Sequence, residues 1–339
     1  MTGPGGHQPT LEEVARRAGV GRGTASRVIN GSSQVSEKSR AAVLEAVAEL
    51  GYVPNPAARA LVTRRTDTVA VVIAEDEERV FGEPFFAGVI RGISNALADA
   101  DLQLVLLLAQ AGSRRDRLMT FLTPQHVDGV LFLSVHDQDA LPEVLRPRGI
   151  PFVLGGRAAG AEEAPFVDVD NALGARLAVD HLVHRGRRRI ATITGPLDLM
   201  VGRERLRGYE EGLAAAGLAP EPALVAHGDF SLASGEAAMR TLLVTGPDLD
   251  GLFCANDLMA AGALRVLHEA GRRVPSQVAV VGFDDSPQAL STHPPLTSVN
   301  QSPERMGGEM VALLLDMLAD PGSARSRILP TRLVVRSSS

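Results

Sequence analysis

The sequence predicts a small all-α helix-turn-helix head joined to an α/β two-lobed body, and three observations carry that expectation. Residues 10–61 hold short helical patterns punctuated by caps, glycines and prolines. From Asp67 onward, apolar runs of strand length alternate with helical patterns. Charge is divided between the two parts: residues 1–65 carry nine basic and five acidic side chains, a surplus of four positive, so in a chain at −6 the remainder has ten negative in excess. A basic head on an acidic body suits one end meeting phosphate while the other avoids it. With 339 residues, 45% of them hydrophobic, the chain has the length for two or three domains and ample material for their cores.

Met1 to Pro9 is rich in Gly and Pro and is expected to be a disordered arm; it lacks the charge and apolar core of a signal peptide. Thr10 and Glu13 fit a capping box, in which the Thr oxygen accepts from an amide three residues on and the Glu carboxylate reaches back. The helix so opened puts Leu11, Val14, Ala15 and Ala18 on one face, and Gly19-Val20-Gly21 breaks it after two turns. A second helix is expected from Arg22 to about Asn30. Two short helices around a glycine turn form a helix-turn-helix, which offers its second helix to a DNA major groove. Gly19, Gly21 and Gly23 alternate as in a nucleotide-binding loop, but a helix precedes them where that loop needs a strand, so the loop reading fails its context. Ser36 caps a third helix, with Glu37 in its first turn, an inward stripe of Val43, Leu44, Val47 and Leu50, and Gly51 at its end.

The stretch resembles the lactose-repressor (LacI/GalR) family of transcriptional regulators. The match includes Thr10-Leu11, Val14-Ala15, Ala18-Gly19-Val20, Thr24, Ser26-Arg27-Val28, Asn30, Val35-Ser36, Arg40, Gly51-Tyr52 and Pro54-Asn55. The resemblance implies that Arg22 and Gly23 occupy the positions that vary with operator sequence, and that Arg27 matches a common base-reading arginine. Arginine can hold O6 and N7 of guanine with two hydrogen bonds. Thr24, Ser26 and Asn30 are short polar residues suited to phosphate oxygens. Thr10, Leu11, Ser36, Asn55, Ala58 and Leu61 complete the candidate DNA contacts.

Pro54-Asn55-Pro56 opens a further pattern, with Asn55 as a cap and Pro56 at the first helical position. The helix would be about two turns long, and helices under ~12 residues are marginal alone in water. It is expected to form only against a twin in a dimer and against DNA. The resemblance makes it the family's hinge helix, with Leu61 as the leucine that wedges into the minor groove. On the residues alone, an ordinary linker with an anchored leucine fits equally well.

Strand-like runs follow at Thr68–Ala74, Leu102–Leu108, Val127–Leu133, Phe152–Leu154, Arg189–Thr194, Gly251–Ala255 and Gln277–Gly282. Helical patterns lie between them at Phe86–Ala98, Asn171–Arg185, Gly202–Ala216, Ser231–Val244 and Asp257–Ala270. Continuous apolar strands alternating with helices mean parallel sheets covered by helices. The runs fall into two groups, and the family resemblance implies a periplasmic-binding-protein-like (type I) body. The expected domains are an arm at 1–9, the head at 10–54, a hinge helix and linker at 55–66, a first lobe at 67–160 plus about 297–322, and a second lobe at 161–296 plus about 323–339.

Ligands of open parallel sheets sit beyond the carboxyl ends of the strands. The residues found there include Glu75, Glu83, Phe86, Gly155-Gly156-Arg157, Arg203, Arg205, Asn256-Asp257 and Asp284-Asp285. Carboxylates, an amide, arginines and ring faces suit a polyhydroxylated ligand. Gly228-Asp229-Phe230, Cys254-Ala255-Asn256-Asp257, Val281-Gly282-Phe283-Asp284-Asp285 and Pro294-Pro295-Leu296-Thr297-Ser298-Val299 match the family's effector-domain motifs. By position, Arg205, Phe230, Asn256 and Asp284 match its effector contacts. Gly156 falls where some members carry an aspartate, which leaves Arg157 as the candidate there; Glu75 and Phe86 complete the effector set. Asp257 and Asp285 could equally cap the helices that follow them. Within the family the chain is most similar to cellobiose-sensing repressors, through residues 60–70, Val127-Asp128-Gly129-Val130-Leu131, Ser134-Val135-His136 and Ile190-Ala191-Thr192-Ile193-Thr194-Gly195-Pro196.

The expected protein is therefore a homodimeric repressor on palindromic double-stranded operator DNA, released by a small saccharide. A different effector within the family, such as another glycoside, a phosphosugar or a purine corepressor, remains the alternative, as does a sugar-binding protein without a DNA role. An enzyme is disfavoured: there is no nucleophile elbow, metal-ligand spacing or phosphate loop, and Asp284-Asp285 are sequence neighbours that point apart along a strand. No cofactor or metal is expected. The lone Cys254 excludes an internal disulfide and sits in an apolar run, so a buried, inert thiol in a cytoplasmic protein is expected. No apolar run spans a bilayer, and no leucine heptad for a tetramerising coiled coil is evident.

Overall fold

The computed structural model describes residues 9–29, 32, 34–53, 65–109, 118–137, 139, 144–159, 161 and 163–339. Nearly all of the expected arm, Asn30, and Asn55, Ala58 and Leu61 of the expected hinge lie outside the described residues. The chain divides into two compact units, residues 1–66 and 67–339.

The head is three helices, α1 (Leu11–Arg17), α2 (Arg22–Ile29) and α3 (Glu37–Leu50). The capping box at α1 forms as the sequence predicts: the Glu13 amide donates to the Thr10 hydroxyl at 3.3 Å and the Thr10 amide donates to the Glu13 carboxylate at 2.8 Å. Ser36 caps α3 by accepting from the Ser39 amide. Val14, Ala15, Ala25, Val28, Val43 and Ala46 close over one another as the core, with Leu11 packed against it. Leu44 departs from the expected inward stripe and is 54% exposed. The buried positions are Val43 and Ala46, and Leu44, one residue on from Val43, is turned about 100° away around the helix.

The body is built on two six-stranded sheets. The first contains β1 (Thr68–Ile73), β2 (Gln103–Leu108), β3 (Gly129–Leu133), β4 (Phe152–Gly155), β5 (Phe166–Val169) and β11 (Arg327–Leu329), in the order β11-β5-β4-β3-β1-β2. The second contains β6 (Ile190–Thr194), β7 (Val225–His227), β8 (Gly251–Cys254), β9 (Ala279–Asp284), β10 (Thr297–Asn300) and β12 (Arg332–Val334), in the order β12-β10-β9-β8-β6-β7. Every pairing is parallel except β10 with β12. Helices Pro84–Asp99 and Pro303–Ala319 pack together on the first sheet, and two further helix pairs, Asn171–His184 with Met200–Ala215 and Leu232–Thr245 with Asp257–Glu269, serve the second.

The expected lobe boundaries need three corrections. The first lobe runs on to β5, which pairs with β4 at Leu154↔Phe166, and does not end at 160. Thr297–Asn300 belongs to the second lobe, in register with Val281–Asp284. The chain returns to the second lobe after β11, not at 322, because Arg327–Leu329 pairs with Val167–Val169. Strands of three or four residues carry too little periodicity to be assigned to either lobe from the sequence.

The topology fixes where a ligand can sit. β1 is flanked by β2 and β3, and β6 by β7 and β8, so chain direction across each sheet reverses beside its first strand. Crevices open at such reversal points, beyond the carboxyl ends of the strands.

Candidate functional site

At those strand ends lies a cavity of about 660 Å³, including space open to solvent. Both lobes line it, the first with Arg79, Glu83, Phe86, Ser134 and Arg157, the second with Leu199, Met200, Arg205, Phe230 and Asp284.

A polar belt runs around the wall. Arg157 donates to Asp168 at 3.0 Å and to Glu204 at 3.1 Å. Asn171 donates to Asp168 at 3.0 Å and accepts from Arg205 Nε at 2.9 Å. Arg205 Nη1 lies 3.5 Å from the Asp284 carboxylate, which also accepts from Gln301 at 2.5 Å. Burial drives the ionisation of this belt. It pushes Asp284 and Asp168 up against the opposing pull of Arg205 and Arg157 respectively, and it pushes Arg205 down. Burial also pushes Glu83 up to about 7.

Backbone strain concentrates here. Ser134, Phe230, Asp284 and Asp285 have φ of 57°, 72°, 106° and 54°. Side chains other than glycine pay to adopt such angles, and they do so mostly where function holds them. Gly195 makes room for the Phe230 ring: a Cβ there would come within 2.2 Å of Phe230 Cζ. The Arg79 and Arg205 guanidiniums lie 5.2 and 5.9 Å from the centroid of that ring, and Arg205 stacks on Phe283 at 3.6 Å.

Direct contacts also join the lobes outside the cavity. Arg203 grips Asp137 through both carboxylate oxygens, at 2.5 and 2.8 Å. His136 bridges Glu75 at 3.1 Å and Asp198 at 2.7 Å. Those two acceptors, Glu75 first, hold the imidazole up at about 9 despite partial burial.

Of the effector residues the sequence singles out, Phe86, Arg157, Arg205, Phe230 and Asp284 come together on the cavity wall. Two do not. Glu75 sits behind Arg79 and is occupied by Arg79, Ser134 and His136. Asn256 is 1% exposed, and both ends of its amide are used internally: it accepts from the Met259 amide as a helix cap and donates to the Phe230 carbonyl at 2.8 Å. Its place is to hold Phe230. Asp257 and Asp285 cap no helix; the first accepts from Ser298 and Ser286, the second from Arg336 and Asn300. Cys254 is buried, and burial raises its thiol.

The sequence reading missed Arg79, Ser134, Asp168, Asn171 and Gln301. A signal existed for Arg79, since Glu75 and Glu83 flank it at four-residue spacing, where an arginine meets both. Asp168 lies within a strand too short to be recognised, β5, and Gln301 follows another, β10.

In the head, α2 buries Ala25 and Val28 and turns Arg22, Gly23 and Arg27 to solvent. Thr24 and Ser26 are half-buried. Arg22 reaches back to Glu12 at 3.0 Å, and Arg27 Nε donates to the Gly23 carbonyl of its own helix at 3.2 Å. Thr10 is exposed, whereas Leu11 is committed to the core. Arg40, on α3, ties down the loop after α2 by donating to the Ser32 carbonyl at 2.6 Å. Arg22 opens a helix braced by two others, where side chains are presented to base edges, and Arg27 lies on the same exposed face in its last turn.

Comparison with known proteins finds matches for both parts of the chain. Residues 10–55 match the bacterial regulatory proteins of the lacI family, and residues 179–339 match the periplasmic binding protein-like domain. The chain is 53% identical over 334 residues to the HTH-type transcriptional regulator CelR of Thermobifida fusca, covering 98% of each. The chain belongs to the LacI family. The ribose operon repressor of Escherichia coli K12 is also similar, at 32% identity over 97% of this chain and 99% of its own.

Two solved structures extend the family match to three dimensions. A transcriptional regulator CelR–cellobiose complex superimposes with a TM-score of 0.78 at 51% identity, covering 98% of this chain and 100% of the other. The lac repressor dimer bound to operator and the anti-inducer ONPF gives a TM-score of 0.85 at 29% identity, covering 98% and 99%. Among the described residues of this LacI-family chain, no helix is long and apolar enough to cross a membrane, and no cluster of His, Cys, Asp and Glu could hold a metal ion.

Proposed function

We propose that this LacI-family chain is a cytoplasmic transcriptional repressor, not an enzyme, that binds a palindromic operator as a homodimer and is released by cellobiose or a short cello-oligosaccharide. The observation that carries the sugar reading is the charge balance of the pocket. Each arginine on its wall already has a carboxylate: Arg79 has Glu75 and Glu83, Arg157 has Asp168 and Glu204, and Arg205 has Asp284. Among the described residues, no wall cation is left over for a phosphate. The fixed donors and acceptors suit neutral hydroxyls, and Phe230 offers a ring face for the apolar side of a pyranose. The relative at 53% identity is named CelR, and one similar structure is a CelR–cellobiose complex, which favours that disaccharide.

In the head, Arg22 and Arg27 read guanines in the major groove while short polar residues and backbone amides hold phosphates. Sugar between the lobes favours one lobe arrangement over another, and that preference releases the DNA. A mobility-shift assay on the DNA upstream of the chain's own gene, with a panel of sugars, tests the reading. Cellobiose releases the DNA. In Asp284→Ala, which leaves Arg205 without its carboxylate, sugar affinity falls by ~10-fold or more, a loss of ~1.4 kcal/mol per decade, and release is lost while operator binding persists. Release by a phosphorylated sugar or a purine in place of cellobiose overturns the effector assignment.

A further inference from the structure

The first lobe contributes a carboxylate that does not cap the helix it opens and is only partly used by its neighbour. Glu83 stands at the residue that opens the helix Pro84–Asp99, where a short polar side chain would cap the free amides, yet it makes no cap hydrogen bond. The residue is 8% exposed and lines the cavity. One carboxylate oxygen accepts from Arg79 Nε at 3.3 Å. The other has no hydrogen-bond partner among the described residues. Arg79 is fixed on two sides, with Nη1 donating to Glu75 at 2.5 Å and Nε to Glu83, and its guanidinium is 5.2 Å from the Phe230 ring. Its Nη2 has no acceptor among the described residues. An unfilled acceptor and an unfilled donor thus stand side by side on the first lobe's wall, and Arg205 with Asp284 stands on the second's.

We propose that Glu83 and Arg79 are the first lobe's hydroxyl-reading pair, and that the ligand is gripped between Glu83 on one lobe and Asp284 on the other. The inference rests on the saccharide reading above and adds the residues that couple specificity to lobe closure. The second Glu83 oxygen can accept from a sugar hydroxyl that in turn accepts from Arg79. An anionic group placed there meets like charge.

The groups facing Glu83 are Arg79 on the short helix Glu77–Gly82, Arg205 on the helix Met200–Ala215 and Asp284 at the end of β9; Arg157 and Asp168 on the same wall pair with each other. Burial raises Glu83 to about 7, Asp284 adds to the rise, and Arg79 and Arg205 oppose it. A donated hydroxyl stabilises the charged form. Sugar binding therefore releases a proton, and affinity rises as the pH passes upward through about 7.

Calorimetric titration of the full chain with cellobiose, lactose, maltose and glucose tests this, at pH 6 and pH 8 and in buffers of different ionisation heat. Glu83→Gln keeps the shape but not the charge. It is expected to weaken the best-bound sugar by about 10-fold at pH 8, since hydrogen bonds to a charged group are roughly twice as strong. At pH 6, where wild-type Glu83 is itself mostly protonated, the difference shrinks, and proton release falls in the variant. Arg79→Lys keeps the charge but loses the planar fork, and is expected to weaken binding several-fold at both pH values. Equal affinity and equal proton release in wild type and Glu83→Gln overturn the inference while leaving the saccharide reading intact, and so does an equal loss at both pH values. Failure of every sugar to bind the wild type overturns the saccharide reading and this inference together.

Discussion

Helix α2 of the head and the cavity of the body both carry arginines, but these are held in opposite ways. Arg22 has a 71% exposed side chain and one exposed ion pair with Glu12; Arg205 is 4% exposed and is fixed by Asn171, the Ala255 carbonyl, Asp284 and the ring of Phe283. An exposed pair such as Arg22–Glu12 is worth roughly 0–1 kcal/mol, so Arg22 can leave it for a guanine at little cost. A buried arginine in a closed network cannot move without leaving charges unpaired. In the proposed reading, the head thus holds its reading groups only weakly and leaves DNA to order them. The body builds its ligand groups in advance and strains its backbone to do so.

Three measurements break or sharpen that contrast. The largest effect is expected from Arg205→Ala, which leaves buried Asp284 without its arginine and removes the donor to Asn171. The body should lose about 3–5 kcal/mol in thermal or denaturant unfolding, whereas Arg22→Ala should leave unfolding unchanged. A loss under 1 kcal/mol for Arg205→Ala would remove the distinction between the sites.

Next in size is Arg22→Ala on operator DNA. It should cost about 1–3 kcal/mol at one symmetric pair of operator positions and relax base preference there, without a general loss on other sequences. A uniform loss on all sequences would make Arg22 a phosphate contact.

The smallest concerns His136, the bridge between Glu75 and Asp198. Its folded value of about 9 lies above the ordinary 6.5, so the stability it contributes is complete below pH 6.5 and is lost as pH rises through about 9. Glu83, raised to about 7, has finished titrating by then. Melting temperature should therefore fall between pH 7.5 and 9.5 in the wild type and fall less in His136→Gln. Parallel curves would show that the bridge does not hold a proton.

The same contrast explains what could be read from the chain alone. The head is governed by local chemistry. The Thr10–Glu13 box, the Ser36 cap and the glycines at 19 and 51 set helix limits that the structure reproduces within a residue, apart from the inward turn wrongly expected of Leu44. In the body, the long apolar strands were legible, but the helix Pro303–Ala319 was not, because Gly307-Gly308 reads as a break. The first of these glycines is a packing requirement, since a Cβ at Gly307 would lie 2.2 Å from the Val89 carbonyl of the neighbouring helix. The pocket was half legible. Residues that follow long strands or sit in the effector motifs, such as Phe230 and Asp284, could be named. Asp168, Asn171 and Gln301 arrive through crossings between lobes that no local pattern announces, and Asn256 was misread because its two internal hydrogen bonds exist only in the folded body.

The central claim is that two differently built sites belong to one switch. Coupling between binding sites is reciprocal: if cellobiose weakens operator binding by some factor, operator must weaken cellobiose binding by the same factor. Titrating cellobiose by calorimetry into the full chain, free and saturated with operator DNA, measures this directly. The account predicts weaker sugar binding on DNA, by the factor with which cellobiose weakens the operator complex. Equal cellobiose affinity with and without operator would contradict it.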